Sequence, residues 1–327
     1  MEDRLFIYDA GFSKNSKYFI KVFLSYVLNI CYSLLFVFIK RRKSVKKYNL
    51  SVCAIFKNEA QYFNEWIEYN LLVGVEHFYL YNNFSTDNYQ SILQPYIDKG
   101  IVTLIDWPVE GGQLEAYHHC LINNKDQSQW IAFFDLDEFV CPRYEVCLKE
   151  TLKKFQKYPS LLIYWRMFGT SGLVKHSSDK LIIEQYTNSW DKIYNVGKII
   201  LNTDFSFISH THHFAISEML IMGGIKIKIP PINAFKCFVC WQNVHFNGIL
   251  RNRLVHPIQL NHYWSKAFDC FMDKASKPDR IWGIKNSSYD LTRFYVHEHY
   301  NRGTDHTIYR YLIQLKLKIR EIGKERG

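Results

Sequence analysis

The 327-residue sequence lacks an internal repeat, a low-complexity linker and a second CxxC pair. Each absence narrows the reading. Without repeats or linkers, the length leaves room for one large domain or two small ones. The lone Cys237-Phe238-Val239-Cys240 has no partner pair, so a zinc site is a poor reading. The remaining cysteines, at 31, 53, 120, 141, 147 and 270, follow no disulfide framework and fit a reducing compartment. No long stretch is polar enough for disorder except the short tail 322–327. Acidic residues are outnumbered, 31 against 41 basic ones, and the net charge is +10. Such an excess suits nucleic acid, an anionic membrane face or a phosphorylated substrate. No basic–aromatic ladder is present, so single-stranded nucleic acid is not an expected partner. What is abundant is core material: 48% of residues are hydrophobic and 17% aromatic.

Charge is also missing locally. The 18 residues from Val22 to Ile39 carry none, between Lys21 and Lys40. That length just suffices for a bilayer-crossing helix. It lies too far along the chain, without a small-residue cleavage site, to be a signal peptide. The run Lys40-Arg41-Arg42-Lys43, with Lys46 and Lys47, follows at once. Basic flanks stay in the cytoplasm, which places the bulk of the chain there. Ser25, Asn29 and Ser33 recur every four residues, giving one helical face an interfacial or partner-facing stripe. A single span, a helix in the membrane surface and a buried core helix all remain open. The expectation is an N-terminal membrane-associated helix with its basic flank over 1–47.

From Tyr48 the pattern alternates between strand and helix. Strands are expected at Leu50–Phe56, Phe78–Tyr81, Ile101–Asp106 and Trp130–Phe134, and helices at Asn58–Val73, from Ser85 or Thr86 to Tyr96, and at Gln113–Asn123. A βαβαβαβ series implies an α/β fold with a mostly parallel sheet and right-handed crossovers. Ligands bind beyond the carboxyl ends of such strands. The polar clusters at 57–59, 82–87 and 135–138 all fall there and should share one crevice. Residues 48–145 then form a donor-binding half and 146–327 an acceptor-side half. In the second half, Val146–Tyr158 looks helical, Leu161–Trp165 looks like a strand, and Tyr309–Ile322 looks like a closing helix.

Asp135-Leu136-Asp137 follows a buried strand and precedes Phe139-Val140. Two carboxylates so placed chelate a hard cation, Mg²⁺ or Mn²⁺ rather than zinc or copper. An acidic surface turn is the alternative, although burying three acids without a cation is costly.

The segments Cys53–Ala60, Glu65–Tyr69, Gly74–Asn83 with Ser85–Asn88, Phe133–Phe139 and Asn261–Lys266 with Lys274 together resemble glycosyltransferase family 92 and its bacterial relatives near family 2. The resemblance covers about residues 48–280, with the five motifs in order. It implies a GT-A fold, a Rossmann-like and mostly parallel central sheet with flanking helices. It also implies metal-dependent inverting transfer from a nucleotide-diphosphate sugar, often UDP-galactose.

By the same resemblance Lys57, Asn58 and Glu59 lie at the nucleotide end of the first strand. Asn82 and Asp87 lie near base and ribose, Gln113 faces the donor, Asp135 and Asp137 hold the metal, and His262 adds a ligand. Asn82 stands where many relatives carry aspartate, and Phe84 where the residue is usually polar. The acceptor base must approach from the face opposite the diphosphate. Candidates are Glu184, Asp191, Glu218 and the histidines 210, 212 and 213. Trp165 and Trp190 can stack on an acceptor sugar or pack in the core.

The expected activity is transfer to a glycan or glycolipid acceptor in surface polysaccharide synthesis, at the cytoplasmic face of a bacterial inner membrane. Asn83-Phe84-Ser85, a glycosylation sequon inside the donor crevice, argues against a luminal location. The alternatives are a metal-dependent nucleotidyltransferase, poorly served by the single Gly111-Gly112 near the crevice, and a sugar-binding scaffold without catalysis.

Overall fold

The structure, a computed structural model, describes residues 16–39, 41, 44–207, 217–221, 225–241, 256–276 and 290–326. Helix α1 (Ser16–Phe38) precedes strand β1 (Tyr48–Phe56), a 3₁₀ turn at Ala60–Tyr62 and helix α2 (Phe63–Leu72). Strand β2 (His77–Asn82), α3 (Tyr89–Asp98), β3 (Val102–Asp106), α4 (Gln113–Asn124) and β4 (Ser128–Phe133) follow. Then come β5 (Glu138–Pro142), α5 (Leu148–Lys153), β6 (Ser160–Met167), α6 (Ile182–Gln185), β7 (Asn188–Ser189) and β8 (Gly197–Asn202). The ribbon β9 (Ser217–Ile221) and β10 (Ile225–Ile229) leads to β11 (Ile232–Asn233) and β12 (Ile258–His262). Helices α7 (Phe268–Ser276) and α8 (Leu291–His299), strand β13 (Gly303–Thr304) and helix α9 (Leu312–Arg326) complete the described chain.

A nine-stranded sheet runs β3-β2-β1-β4-β8-β6-β12-β5, with β11 on β6. Its first four strands are parallel, as the alternating pattern implied. Beyond β4 the sheet becomes mixed: β8 is antiparallel to β4 and β6, β12 is parallel to β6, and β5 is antiparallel to β12. The fold is therefore mixed α/β with a mostly parallel sheet. The sheet crosses residue 145 without a break, so both halves of the chain share it.

The four early strands occupy the expected places: β1, β2 and β4 are short apolar runs buried almost throughout, while β3, at the sheet edge, buries only Val102. The helix at Gln113 starts where expected, but the two before it start later, for a local reason. Asn58 adopts φ 54°, a left-handed backbone that no helix includes. Its amide donates to Ser85 Oγ (3.0 Å), and its side-chain oxygen accepts from Thr86 N (2.7 Å). Ser85 and Thr86 are thereby engaged with the neighbouring loop, and α3 begins only after Asn88. At the other end of α2, Gly74 takes φ 98° and donates to Leu71 O (3.0 Å), the glycine stop read from the sequence. The helix expected over 146–158 contracts to α5.

The polar stripe on α1 faces inward, not toward a membrane interface. Asn29 donates to Phe238 O (3.1 Å) and accepts from Phe238 N (2.7 Å). Ser25 is also buried, whereas Ser33 is exposed. Beside Asn29, Tyr32 and Phe36 pack on the Phe238 ring, each at 5.4 Å, and Phe36 also meets Tyr158 and Phe205. These contacts lie at the amino ends of β4 and β6, the end opposite the crevice. Among the described residues no helix is long and apolar enough to cross a membrane.

Candidate functional site

The crevice is built where β4 breaks. Phe134 still donates to Cys53 O (3.3 Å), and the chain then turns through Asp135-Leu136-Asp137 into β5. The turn closes on itself: Glu138 N donates to Asp135 O, and Asp135 N donates to Glu138 Oε2, both at 3.0 Å.

Asp135 and Asp137 point to different partners. Asp135 Oδ2 lies 2.8 Å from Lys198 Nζ of β8. Asp135 Oδ1 accepts from Tyr117 OH (3.1 Å) and Gln113 Nε2 (3.3 Å), both on α4. Lys198 also lies 3.7 Å from Glu138, and its side chain is wholly buried. Glu138 Oε1 accepts from Trp165 Nε1 (2.7 Å). Burial pushes Glu138 well above the usual carboxylate range, aided by Asp135 and Asp137 and opposed by Lys198. Burial alone would discharge Lys198, but Asp135 and Glu138 outweigh it and raise its pKa.

Asp137 Oδ2 pairs with Lys274 of α7 and lies 3.8 Å from Lys266, while Oδ1 faces His262 Nε2 at 3.6 Å. Burial works against its charge, yet Lys274, Lys266 and His262 together hold its carboxyl far below the usual range. Lys266 adopts φ 51°, a conformation unusual for lysine, and lies over the Tyr62 ring at 4.4 Å. Burial and the neighbouring Lys274 lower its pKa to about 8, against the pull of Asp137 and Glu59. Burial brings His262 down to about 4, so its imidazole is neutral near pH 7. The segment 261–266 reaches the crevice because β12 pairs with β5, setting His262 opposite Glu138, and Tyr263 N donates to Asp137 O (2.9 Å).

The metal expectation divides accordingly. Asp135, Asp137 and His262 do not converge, because Lys198 draws the first carboxylate away. Among the described residues no group of three or more His, Cys, Asp or Glu side chains is arranged to hold a metal ion. Asp137 and His262 do fit a shared cation. They are adjacent, one anionic and one neutral, with His262 Nε2 turned toward Asp137 Oδ1 at 3.6 Å. Water and phosphate oxygens would have to supply the other ligands.

Of the other expected donor residues, Gln113 touches Asp135 as described. Lys57 lies over the Phe84 ring at 5.5 Å, at the mouth of the crevice. Asn58 and Asp87 stitch loops together, Asp87 Oδ2 accepting from Ala60 N (2.8 Å). Asn82 donates to Tyr89 OH (2.9 Å) and Asp106 Oδ1 (3.0 Å). Asn83 is buried and donates to Trp107 O and Val109 O (2.8 and 2.9 Å), so its amide is already engaged.

On the acceptor side, Glu184 pairs with Lys316 of α9 at 2.6 Å, away from both aspartates' partners. Asp191 N donates to Tyr300 O (3.2 Å), while its Oδ1 is buried without a partner. His213 lies outside the described residues, and for Glu218 only the backbone of β9 is described. Trp190 packs on His297, Tyr300 and Tyr194 and is a core residue. Trp165, though mostly buried, sits against His262 at 4.6 Å between ring centroids. Sequence reading assigned no role to Tyr117 or Lys198. Lys198 did leave a signal, as a lone charge in the apolar run Gly197-Lys198-Ile199-Ile200-Leu201.

Comparison with known proteins gives the constellation its context. The family model of Glycosyltransferase family 92 matches residues 46–219, which include both aspartates and Lys198. The chain belongs to glycosyltransferase family 92. A family 92 protein of Ricinus communis is 26% identical over 211 residues, 60% of this chain and 36% of that protein. One of Oryza sativa is 28% identical over 205 residues, 60% of this chain and 34% of that protein. The chain thus spans about a third of the length of these curated relatives. The β-1,4-galactosyltransferase galt-1 of Caenorhabditis elegans is 34% identical over 109 residues, 29% of this chain and 26% of that protein. These are plant and nematode proteins, and they support family membership without a bacterial origin. Among solved structures, S. aureus TarS matches with a TM-score of 0.31 and 17% identity over 47% of each chain, too slight to add to the assignment.

Proposed function

We propose that this chain transfers a sugar from a nucleotide-diphosphate donor, a UDP-sugar such as UDP-galactose, to a hydroxyl of a glycan or glycolipid acceptor. The observation that carries the reading is the set Asp135, Asp137, His262, Lys198, Lys266 and Lys274, gathered beyond the carboxyl ends of β1 and β4 in a family 92 chain. Parallel strands of a GT-A-like sheet bind nucleotides at that end.

Three lysine ammonium groups, two of them on the C-terminal segment, meet three carboxylates here. A diphosphate entering the crevice finds Lys266 and Lys274 already directed at Asp137. Exchanging one carboxylate contact for a phosphate contact costs little, because each ammonium keeps an anionic partner. Lys198 fixes Asp135 so that its Oδ1 stays with Tyr117 and Gln113. Mn²⁺ or Mg²⁺, held by Asp137 and His262, would supply Lewis-acid stabilisation of the departing diphosphate. The acceptor proton needs a base from the 146–327 half, and we assign Asp191. Among the described residues it forms no ion pair, unlike Glu184, although Arg166 acts on it electrostatically, and its Oδ1 is buried without a partner. Inversion at the sugar carbon and a role in surface polysaccharide synthesis complete the proposal.

The test is incubation of the full chain with labelled UDP-sugars, Mn²⁺ and a panel of glycan acceptors. Release of UDP coupled to acceptor labelling supports the proposal. Pyrophosphate release would indicate a nucleotidyltransferase instead. Tight donor binding with no turnover on any acceptor would indicate a binding scaffold.

A further inference from the structure

Helix α1 is apolar on both of its sides. Tyr32, Leu35 and Phe36 pack on the domain beside the buried Ser25 and Asn29, and a second set of apolar residues faces out. Ile20, Phe23, Val27, Ile30, Leu34 and Val37 are all more than 40% exposed, Ile30 at 62% and Val37 at 76%. A soluble surface helix carries charged and polar residues on that outer side. Apolar patches of this extent mark a contact surface.

The occupant can be argued from charge. From Val22 to Ile39 no residue is ionisable as an acid or base of the Asp, Glu, Lys, Arg or His type. Leu24 and Phe38 are exposed as well, so the apolar surface is broader than a two-position stripe. A coiled-coil partner would be expected to find charged residues flanking a narrow seam, and none is there. Positive charge is instead concentrated at the boundaries, at Lys21, at Lys40-Arg41-Arg42-Lys43 and at Lys47, while Lys46 is turned into the domain beside Asp126. An uncharged apolar face bounded by cations is complementary to an anionic bilayer surface. Both hydrogen bonds of Asn29 to Phe238 dock α1 on the domain, as an in-plane helix requires.

We infer that α1 is an interfacial anchor: it lies in the plane of an anionic membrane, docked on the domain through Asn29 and inserting Phe23, Ile30 and Val37 among the lipids. This inference stands apart from the transfer reaction and holds whether or not the crevice turns over a sugar. Its crevice end faces away from the membrane. The α1 contacts lie level with Ser128 and Asp135 lies seven residues further on, a distance of about 20 Å along an extended chain.

The full chain is to be sedimented with phosphatidylcholine vesicles and with vesicles containing phosphatidylglycerol. Binding to the anionic vesicles, weakened by added salt, is expected. The triple variant Phe23→Ser, Ile30→Ser, Val37→Ser should lose roughly tenfold or more of that binding. Its circular dichroism and UDP binding, if unchanged, show that the fold is intact. An environment-sensitive probe on Ile30→Cys in a Cys31→Ser background reads the same point without those substitutions. A blue shift on adding anionic vesicles supports insertion. Equal binding by parent and triple variant overturns the inference, as does a probe that stays in water. A parent that ignores vesicles and forms a dimer, made monomeric by the triple substitution, also overturns it.

Discussion

Lys198 Nζ is bonded to Asp135 Oδ2 at 2.8 Å with no solvent access of its own. The pair joins β8 to the turn after β4, and Glu138 completes it at 3.7 Å. Removing the ammonium leaves the buried Glu138 carboxyl facing the partly exposed Asp135 carboxylate. Lys198→Met is expected to destabilise the protein by roughly 3–5 kcal/mol, the cost of stranding a buried charge. Chemical denaturation measures it. The double variant Lys198→Met, Glu138→Gln should recover part of the loss, and no recovery would show that Glu138 is not part of the pair.

Asp137 answers a different question. Asp137→Asn keeps the shape but removes the charge that Lys266, Lys274 and His262 surround. Transfer should fall by about 10²-fold or more. The rise in thermal midpoint produced by UDP with Mn²⁺ should vanish in the same variant. A variant that keeps the full Mn²⁺-dependent shift would remove Asp137 from the metal site.

The acceptor base is separable by kinetics. Asp191→Asn should lower kcat by about 10²-fold or more while leaving the donor's dissociation constant within about twofold. Glu184→Gln, which breaks only the pair with Lys316, should leave kcat nearly unchanged. The reverse ranking would transfer the role to Glu184.

Stability should fall with acid for a reason unrelated to the crevice carboxylates. Burial lowers His297 to about 3 and His256 to about 4, both below the ordinary value of 6.5. A histidine depressed in the folded state takes up its proton on unfolding, so its contribution is complete above pH 6.5 and is lost as pH falls toward the folded value. At pH 5 each costs about 2 kcal/mol relative to pH 7 or above. His297→Phe retains an aromatic ring against Trp264, at 4.1 Å between centroids in the native protein. The slope of stability between pH 7 and pH 5 should decrease by the equivalent of about one proton. An unchanged slope would mean that His297 does not remain neutral in the fold.

The legible part of this fold was the part built from local pattern. Strands β1 to β4 are short apolar runs punctuated by polar ends, and period and punctuation located them within two residues. Asp135 and Asp137 were legible because two acids beside a buried strand are conspicuous. Lys198 was not, because its role arises from β8 pairing with β4 across more than 60 residues of chain. Tyr117 was hidden for the same reason, since only the turn after β4 brings Asp135 to its hydroxyl. The inward turn of Asn29 was illegible too. Helical spacing revealed that Ser25, Asn29 and Ser33 share a face, but only the packing of Phe238 shows which way it turns.

Asn58, Asn82 and Asp87 spend their hydrogen bonds on one another's loops. A nucleotide therefore meets a finished surface, and little ordering entropy is lost there when it arrives. The amides of Ala60, Ser85 and Thr86 should resist hydrogen exchange before any donor is added. A base-contacting substitution could then alter donor preference without first having to rebuild the floor on which the donor rests.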